Sequence, residues 1–479
     1  MARRTGPEEE PGSSRAAGRT PGQLAYIALL GTTSAGTVGG TIINAPLEWI
    51  KQEFGASDSR VVLAVAAYTV AIEVFVPLAG WLCDRLGPIR VVAAGLAVLA
   101  AAQLAAVASV NLEMLIALRA VQGMACATFP PSVQRALPAL WPHKGATALA
   151  AWASAIGVGQ AVGPPIGGVI AQFLGWRGVF GFAGLVSAVL LVAVLLLVPS
   201  IPGRKVPFHA PGVLILMLSI GLFVIAATMV GQRLPWGQDA LVAGAALVSG
   251  VAFVVIAARR SDRLVAPRAL LERRYARATA MAASTMFVMG IVLTSLPLWL
   301  AQSLGLGPGP VGVIVFAMAA AMATSARITS AARRAWGGWA TSIAALGALV
   351  AVPMLLGLWL DRGPGESAVV LQSIVIVLAL LTMGVAINAG QSLAAFSVSL
   401  SDTGRNSLAF GMHNTARFVS MALGFAWTAL MYPFGSMALT FTGALLAAGA
   451  TLLLVLRGGP LDAQGGQPDG SDGAMDGPR

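Results

Sequence analysis

Three ionisable side chains stand inside long apolar segments of the sequence, where a charge is costly. Glu73 lies near the middle of AAYTVAIEVFVPLAG, and Arg119 and Arg417 lie in two further apolar segments. A charge in a membrane segment is by default functional or paired. Because apolar surroundings disfavour the charged form of a carboxyl group, a lone Glu there can exchange a proton near neutral pH. We therefore predict that Glu73 carries a proton, and the alternative is a permanent structural pair with Arg119.

A short charged loop, GWLCDRLGPIR, separates two of the apolar segments. Its glycines permit tight turns, and its opposite charges can act as a latch. An acid there can face an arginine or a helix N-terminus in one conformation and lose that partner in another. The candidate residues are Gly80, Asp84, Arg85, Gly87 and Arg90. The alternative is a static loop that only sets the topology.

A third segment, GVGQAVGPPIGG, carries small residues four apart and two prolines. This spacing lets two helices approach closely, and a proline bends a helix by removing a backbone hydrogen bond. The residues concerned are Gly159, Gly163, Pro164, Gly167 and Gly168. Generic glycine packing is the alternative to a functional role.

Composition identifies the elements that must position these residues. The chain has 479 residues, of which 57% are apolar and 10% are charged, whereas a soluble domain carries about 25% charged residues. We therefore predict an all-α polytopic membrane protein. Two cysteines, Cys83 and Cys126, exclude a secreted disulfide scaffold, and the continuous apolar runs exclude a β-barrel. The net charge of +11 sits in short loops, which argues against nucleic-acid binding.

A bilayer core about 30 Å thick requires about 20 residues of helix. By that measure fourteen spans are predicted, at 23–46, 60–82, 91–110, 112–137, 147–173, 178–198, 211–231, 239–258, 278–301, 310–328, 337–359, 367–393, 406–430 and 436–456. The side that holds both termini contains 23 of the 30 Lys and Arg residues, and the opposite loops contain five. The positive-inside rule then places both termini in the cytoplasm. The loop 259–277, with seven Arg, is expected to anchor this topology and to meet anionic headgroups.

Four motifs resemble those of the major facilitator superfamily, in particular its fourteen-helix drug–proton antiporters. The charged loop resembles G-x-x-x-D-R-x-G-x-x-R, LRAVQG resembles the R-x-x-Q-G motif of helix 4, and GVGQAVGPPIGG resembles the antiporter signature G-x-x-x-G-P-x-x-G-G. The stretch 383–426 resembles helices 12 and 13, with matches at Gly404, Asn414, Arg417 and Gly424. The resemblance covers nearly all of residues 23–457.

The resemblance implies roles for particular residues. Asp84 and Arg85 would gate the inward face, Arg119 would take part in proton coupling, and the helix 5 glycines would mark an exporter. Further candidates for the cavity are Thr41, Asn44, Gln122, Asn414 and Arg417. The sequence departs from the family at Gly39, where the family commonly has Asp in the first helix. The second copy of the loop motif, SARITSAARRAWGGW, also lacks an Asp.

The implied architecture is the major facilitator fold, with six-helix halves at 23–198 and 278–457. Two inserted helices with their loop fill 199–277, and the tails 1–22 and 458–479 are predicted to be disordered and cytoplasmic. We expect a monomeric exporter of amphipathic drugs or antibiotics in a bacterial plasma membrane.

Proton antiport would drive this export, with no cofactor or metal. Because the apolar segments hold one acid and two arginines, we expect neutral or anionic substrates to be favoured. The lipid bilayer is an expected partner, and nucleic acid is not. The alternatives are an importer or uniporter of the same fold, a transport-inactive sensor, and an enzyme acting on lipid-linked substrates, for which paired acids are missing.

Overall fold

The computed structural model describes residues 21–44, 46–204, 210–229, 238–259, 268–306, 308–362, 369–405 and 407–458. Within these ranges the chain forms helices and the connections between them, as the all-α prediction requires. Most of the two predicted tails lies outside the described residues, and so do residues 260–267 of the arginine-rich loop.

The described residues form fifteen α-helices, and the fourteen predicted spans fall on them. In chain order the helices are α1 (Gln23–Thr41), α2 (Leu47–Glu53), α3 (Asp58–Leu86), α4 (Pro88–Val107), α5 (Leu112–Cys126), α6 (Phe129–Leu140), α7 (Gly145–Leu197), α8 (Ala210–Met229), α9 (Gln238–Arg259), α10 (Arg273–Ser303), α11 (Pro308–Thr324), α12 (Ala326–Leu360), α13 (Val369–Leu400), α14 (Ser407–Met431) and α15 (Met437–Gly458). The short α2 was not predicted. Eight helical segments of the described chain are long and apolar enough to cross a membrane, and fourteen crossings remain a prediction.

Glycines with positive φ mark the points where helices end or break. Gly87 (φ 90°) ends α3, and Pro88 begins α4 directly after it. Gly175 (φ 68°) interrupts α7, and Gly337 (φ 78°) interrupts α12. A residue with a Cβ rarely adopts this conformation. The break at Gly175 therefore divides α7 into the two spans predicted at 147–173 and 178–198.

The helices form two bundles that face each other. In the first bundle α7 packs on α1 and α4, and α3 packs on α5; in the second bundle α10 packs on α14, and α12 packs on α13 and α15. The second bundle encloses one large apolar core, and the first bundle encloses two, one of which also includes Ala395 of α13. We call the side on which α1 begins and α15 ends the terminus side, and the opposite side the far side.

Helix α8, which belongs to the segment predicted as an insertion, lies along the seam between the bundles. Its buried residues recur three and four positions apart, on one helical face. This face joins a single apolar cluster with α3 of the first bundle and with α14 of the second. The α8 members of the cluster are Val213, Leu216, Met217, Ile220 and Val224. The insertion therefore covers the line along which α3 and α14 meet.

The two helices α10 and α14 cross at a pair of glycines, Gly290 and Gly424. A Cβ atom at either position would overlap a backbone carbonyl oxygen of the other helix. We predict that Gly424→Leu lowers the thermal unfolding temperature of the purified protein and its folded yield, because overpacking costs about 1–3 kcal/mol. Gly347→Leu is the control, since no atom lies within 4 Å of a Cβ at that position. Equal unfolding temperatures for the two variants would contradict the close crossing.

Candidate functional site

A central cavity of about 350 Å³ lies between the two bundles. Its walls differ in chemistry. The first bundle contributes hydroxyl, amide, thiol and carboxyl groups together with apolar side chains, while α10 and α14 contribute only methionine and phenylalanine side chains. The polar wall contains Thr33, Thr37, Thr41, Tyr68, Thr69, Glu73, Cys126 and Gln160, and the opposite wall contains Met286, Met289, Phe418, Met421 and Phe425. Such a pair of walls suits a molecule with one polar edge and one apolar face.

Glu73 is the acid that lines this cavity. Its side chain is 3% exposed, and its Oε2 atom has no hydrogen-bond partner among the described residues. The structure therefore places the mid-membrane acid at the boundary between the bundles and without a fixed counter-charge.

Arg119 is buried in the first bundle and does not pair with Glu73. Its Nη1 donates to the carbonyl of Gly39 (2.7 Å) and its Nε to that of Ala64 (3.1 Å). Nη1 also donates to Oε1 of Gln122 (3.0 Å). These acceptors hold the guanidinium away from Glu73, so the permanent pair that the sequence left open is not formed in this conformation.

Tyr68 occupies the place where the family commonly has an acid. Its hydroxyl donates to the carbonyl of Gly36, and it lies 3.0 Å from the position of a Cβ on Gly39. The guanidinium of Arg119 lies 4.2 Å from the centre of the Tyr68 ring. Tyr68 was missed from the sequence, although a tyrosine five residues before a membrane acid is a recognisable signal. Gly39 and Tyr68 together fill this space without a carboxylate.

The five residues suggested for the cavity fall into different environments. Thr41 lines it. The side chain of Asn44 is outside the described part of the chain. Gln122, Asn414 and Arg417 are at most 1% exposed and do not belong to the cavity lining. Their positions correct the expectation, because hydrogen bonds to neighbouring helices hold all three behind the cavity wall.

On the terminus side of the cavity, buried polar residues join the bundles. Asn414 donates through Nδ2 to Oε1 of Gln134 (2.9 Å) and accepts through Oδ1 from Nη1 of Arg417 (2.8 Å). Nε of Arg417 donates to Oε1 of Gln391 (2.6 Å), and its guanidinium lies 4.8 Å from the centre of the Trp152 ring. We call these five residues the cross-bundle cluster. Sequence reasoning missed Gln134, Gln391 and Trp152, although the two glutamines are polar residues in apolar helices.

The charged loop closes the terminus side. Asp84 forms an ion pair with Arg135 of α6, and its carbonyl accepts from the backbone N–H of Arg204 (2.6 Å). A Cβ on Gly87 would overlap the carbonyl of Ile201, so the segment after α7 lies directly on the loop. A second cavity, of about 400 Å³, lies here between the bundles. Arg135 was not singled out from the sequence.

The other loop candidates have peripheral positions. Gly80 lies within α3, the exposed Arg90 lies in the first turn of α4, and the guanidinium of Arg85 lies 5.4 Å from the centre of the Trp81 ring. Of the loop candidates, Asp84 is therefore the residue that forms an ion pair with an arginine of a different helix, Arg135 of α6.

The glycines of GVGQAVGPPIGG form the surface on which α7 contacts α1. A Cβ on Gly159 would lie 2.6 Å from Cβ of Thr37. At Gly163 it would overlap Oγ1 of Thr41, and at Gly167 the carbonyl of Ile42. Gly168 is half-buried in the same helix, and the side chain of Pro164 lies outside the described residues. Close helix packing, as predicted from the spacing, holds for the three glycines four apart.

Among the described residues, no group of three His, Cys, Asp or Glu could hold a metal ion. The site is thus built from a cavity, one carboxyl group, two buried arginines and a charged closure.

Comparison with known proteins supports a transport role for it. The sequence pattern described as Major Facilitator Superfamily matches residues 27–425. The chain belongs to the major facilitator superfamily. Its members are membrane transporters and not enzymes.

Two curated relatives have names that refer to drug resistance. The chain is 30% identical over 219 residues to the methylenomycin A resistance protein of Bacillus subtilis (strain 168), covering 45% of this chain and 47% of that protein. It is 24% identical over 282 residues to the putative multidrug resistance protein MdtD of Escherichia coli (strain K12), covering 58% of this chain and 59% of that protein. The chain thus spans about half the length of the curated relatives it matches.

A solved structure supports the major facilitator fold. The human organic anion transporter MFSD10 (TETRAN) superposes with a TM-score of 0.62 at 17% identity, covering 92% of this chain and all of that one. At this identity the similarity concerns the fold alone.

The ion pair of Asp84 generates a test of the terminus-side closure. We predict that Asp84→Asn speeds maleimide labelling of the buried Cys83 thiol by roughly tenfold or more, because loss of one partner from a largely buried pair costs about 3 kcal/mol. Labelling is measured on purified protein in a Cys126→Ala background, so that a single thiol remains. The control is Glu113→Gln, which removes the exposed far-side pair with Arg60. An unchanged rate of Cys83 labelling in Asp84→Asn, at equal protein abundance, would contradict the gating role of Asp84.

A second ion pair, outside the membrane segments, generates a prediction about pH. Hydrogen bonds from the Trp176 indole (2.6 Å) and from Arg177 lower the pKa of Glu53 from its ordinary value of 4.5. The stabilisation therefore exists above that value and is lost as the pH falls through the lower pKa of the folded state. We expect the unfolding temperature of the wild type to exceed that of Glu53→Gln at pH 7 and the difference to shrink below pH 4.5. A difference that stays constant across this range would contradict the assignment.

Proposed function

We propose that this transporter exports small amphipathic molecules, such as drugs or antibiotics, from a bacterial cell in exchange for protons. The observation that carries the proposal is the position of Glu73 in the wall of the cavity between the bundles, where its Oε2 atom has no hydrogen-bond partner in the part of the chain that the structure describes. Antiport needs a group that is charged in one conformation and neutral in another, and a carboxyl group in such surroundings can alternate between these forms. The names of the two curated relatives support drug export.

The distribution of contacts suggests the transport cycle. The cavity lies towards the far side, between the second half of α1 and the first half of α3, while the cross-bundle cluster and the Asp84–Arg135 pair close the terminus side. Rocking of the bundles about the cavity would break the Asn414–Gln134 hydrogen bond and the contact of Arg135 with the Phe410 ring, which join the two bundles, and would form other contacts on the far side. With the terminus side in the cytoplasm, as the Lys and Arg distribution predicts, the present conformation is the one that releases substrate outside.

The expected substrate is a neutral or anionic amphipathic molecule. The aromatic and methionine wall offers an apolar face, and the threonines and Tyr68 offer hydrogen-bonding groups. The described interior between the bundles holds two buried arginines, Arg119 and Arg417, and one acid, Glu73, and this excess of positive charge disfavours dicationic molecules. In this proposal the protein works as a monomer in the plasma membrane, uses the proton gradient without a cofactor, and binds no nucleic acid.

A uniporter or importer of the same fold is the second candidate. The observation that favours it is Gly39, since this position lacks the acid that the family commonly has in its first helix and Tyr68 fills the space. A transport-inactive sensor is a third candidate, and it would bind substrate without moving it.

The test begins with a drug-susceptibility panel in a pump-deficient host, which identifies a transported compound. In proteoliposomes, the wild type should then move that compound uphill when a pH gradient is imposed. We predict that Glu73→Gln abolishes this uphill transport and leaves exchange without a gradient, because the amide cannot release a proton. Glu113→Gln, an exposed acid on the far side, should retain uphill transport.

The other outcomes separate the candidates. Uphill transport by Glu73→Gln would place the proton path elsewhere. Downhill transport by the wild type that ignores the pH gradient would indicate a uniporter. Binding without any flux would indicate a sensor.

A further inference from the structure

We propose that Arg417 is the anchor of an anion site that opens on the terminus side, and that it takes the carboxylate or similar acidic group of an amphipathic aromatic substrate. The inference rests on the proposed function, since it specifies which part of the substrate the transporter holds and in which conformation. It concerns the cross-bundle cluster, which lies between the cavity and the terminus-side pocket and shares Trp152 with the lining of the first and Gln134 with the lining of the second.

Hydrogen-bond donors without acceptors meet in this cluster. Nη2 of Arg417, Nε2 of Gln134 and Nε1 of Trp152 are buried, and each lacks a partner among the described residues. Arg417 is 1% exposed, and its neighbours Asn414 and Gln391 contribute amide oxygens but no negative charge. A buried donor left without an acceptor costs free energy, and a charged one costs most. The missing component is therefore a hydrogen-bond acceptor that carries negative charge.

Movement of the bundles would uncover Arg417. Its hydrogen-bond partners, Asn414 and Gln391, belong to the second bundle, as Arg417 does, and would move together with Arg417. On the other side, the Trp152 ring faces Arg417, and Gln134 accepts from its neighbour Asn414; both residues belong to the first bundle. Trp152 also lines the central cavity, and Gln134 lines the terminus-side pocket. Separation of the bundles on the terminus side would therefore expose the guanidinium to both spaces.

Arg119 does not share this property, although its Nη2 also lacks a partner. Its acceptors Gly39, Ala64 and Gln122, and the Tyr68 ring above it, all belong to the first bundle. A rigid movement of one bundle against the other would leave Arg119 covered. Arg417 is thus the buried arginine whose exposure depends on the conformation.

An anion that binds only the open conformation would shift the protein towards it, because a ligand moves an equilibrium by its difference in affinity for the two states. Asp84 holds Arg135 beside the Phe410 ring of the second bundle (5.8 Å), and this contact helps to keep the terminus side closed. Weakening the Asp84–Arg135 pair should therefore raise the apparent affinity for the anion. This links the charged loop to substrate binding without any direct contact between Asp84 and the substrate.

The experiment measures equilibrium binding of radiolabelled 1-naphthoate and of its uncharged analogue 1-naphthamide to the full chain in lipid nanodiscs, without a proton gradient. We expect the wild type to bind naphthoate about tenfold more tightly, because a charge-assisted hydrogen bond is stronger than a neutral one. Arg417→Gln should abolish this preference while naphthamide binding is retained. Arg277→Gln is the control, since that buried arginine donates to the carbonyls of Gly458 and Val455 at the end of α15.

Two further variants keep the proposal falsifiable if Arg417→Gln does not fold. Gln391→Glu places a carboxylate directly on Arg417 and should remove the preference for naphthoate. Asp84→Asn should raise the affinity for naphthoate severalfold. This rise should be absent from the double variant that combines Asp84→Asn with Gln391→Glu.

Equal binding of the two probes by the wild type would overturn the site, as would an unchanged preference in Arg417→Gln or Gln391→Glu. These binding results do not depend on proton coupling through Glu73. A failure of Glu73→Gln to stop uphill transport would refute the coupling assignment and leave the anion site standing.

Discussion

The cost of holding charge away from water is the constraint on which this structure depends. With 10% charged residues in the chain, the interior can hold very few of them, and each that it does hold is surrounded by groups that compensate it in part. Backbone carbonyls and an aromatic ring surround Arg119, while two amide oxygens and two aromatic rings surround Arg417. Amides and rings solvate a cation without neutralising it. The interior therefore keeps a positive character that a fixed carboxylate would have removed.

Helix contact in the same interior is governed by small residues. Since lipid offers no hydrophobic force between helices, close backbone approach supplies much of the packing energy. α7 meets α1 through glycines four apart, and α10 meets α14 through Gly290 and Gly424. These contacts lie within one bundle. Between the bundles, Asn414 donates to Gln134, Gly411 packs on Pro77 (3.0 Å from a Cβ position to Cα), and Gly157 of α7 packs closely on the end of α11 (2.8 Å from a Cβ position to the backbone nitrogen of Ala323).

The fold and part of the site could be predicted from the sequence. Continuous apolar runs predicted the helices, and the small-residue spacing predicted a close helix contact, because both depend on local pattern; that the partner helix is α1 came from the structure alone. The position of Glu73 in the cavity followed from its place in the middle of α3. The partners of the buried charges could not be predicted, because Gly39 and Ala64 offer backbone carbonyls that no side-chain pattern reveals. The α8 cluster was not foreseen either, since an apolar stripe does not identify the helices that it covers.

Gly39 shows how one departure from a family pattern changes the electrostatics of a whole site. An Asp at this position would lie beside Tyr68 and next to the carbonyl that Arg119 uses, and it would neutralise that arginine. With glycine there, the Tyr68 hydroxyl fills the space, Arg119 turns to the backbone, and the acid that reaches the cavity comes from α3 instead of α1. The carboxyl and the guanidinium groups are consequently separated in the present conformation. A carboxyl without a permanent partner can change its protonation state more freely than one held in an ion pair, so the loss of the first acid is compatible with coupling through the second.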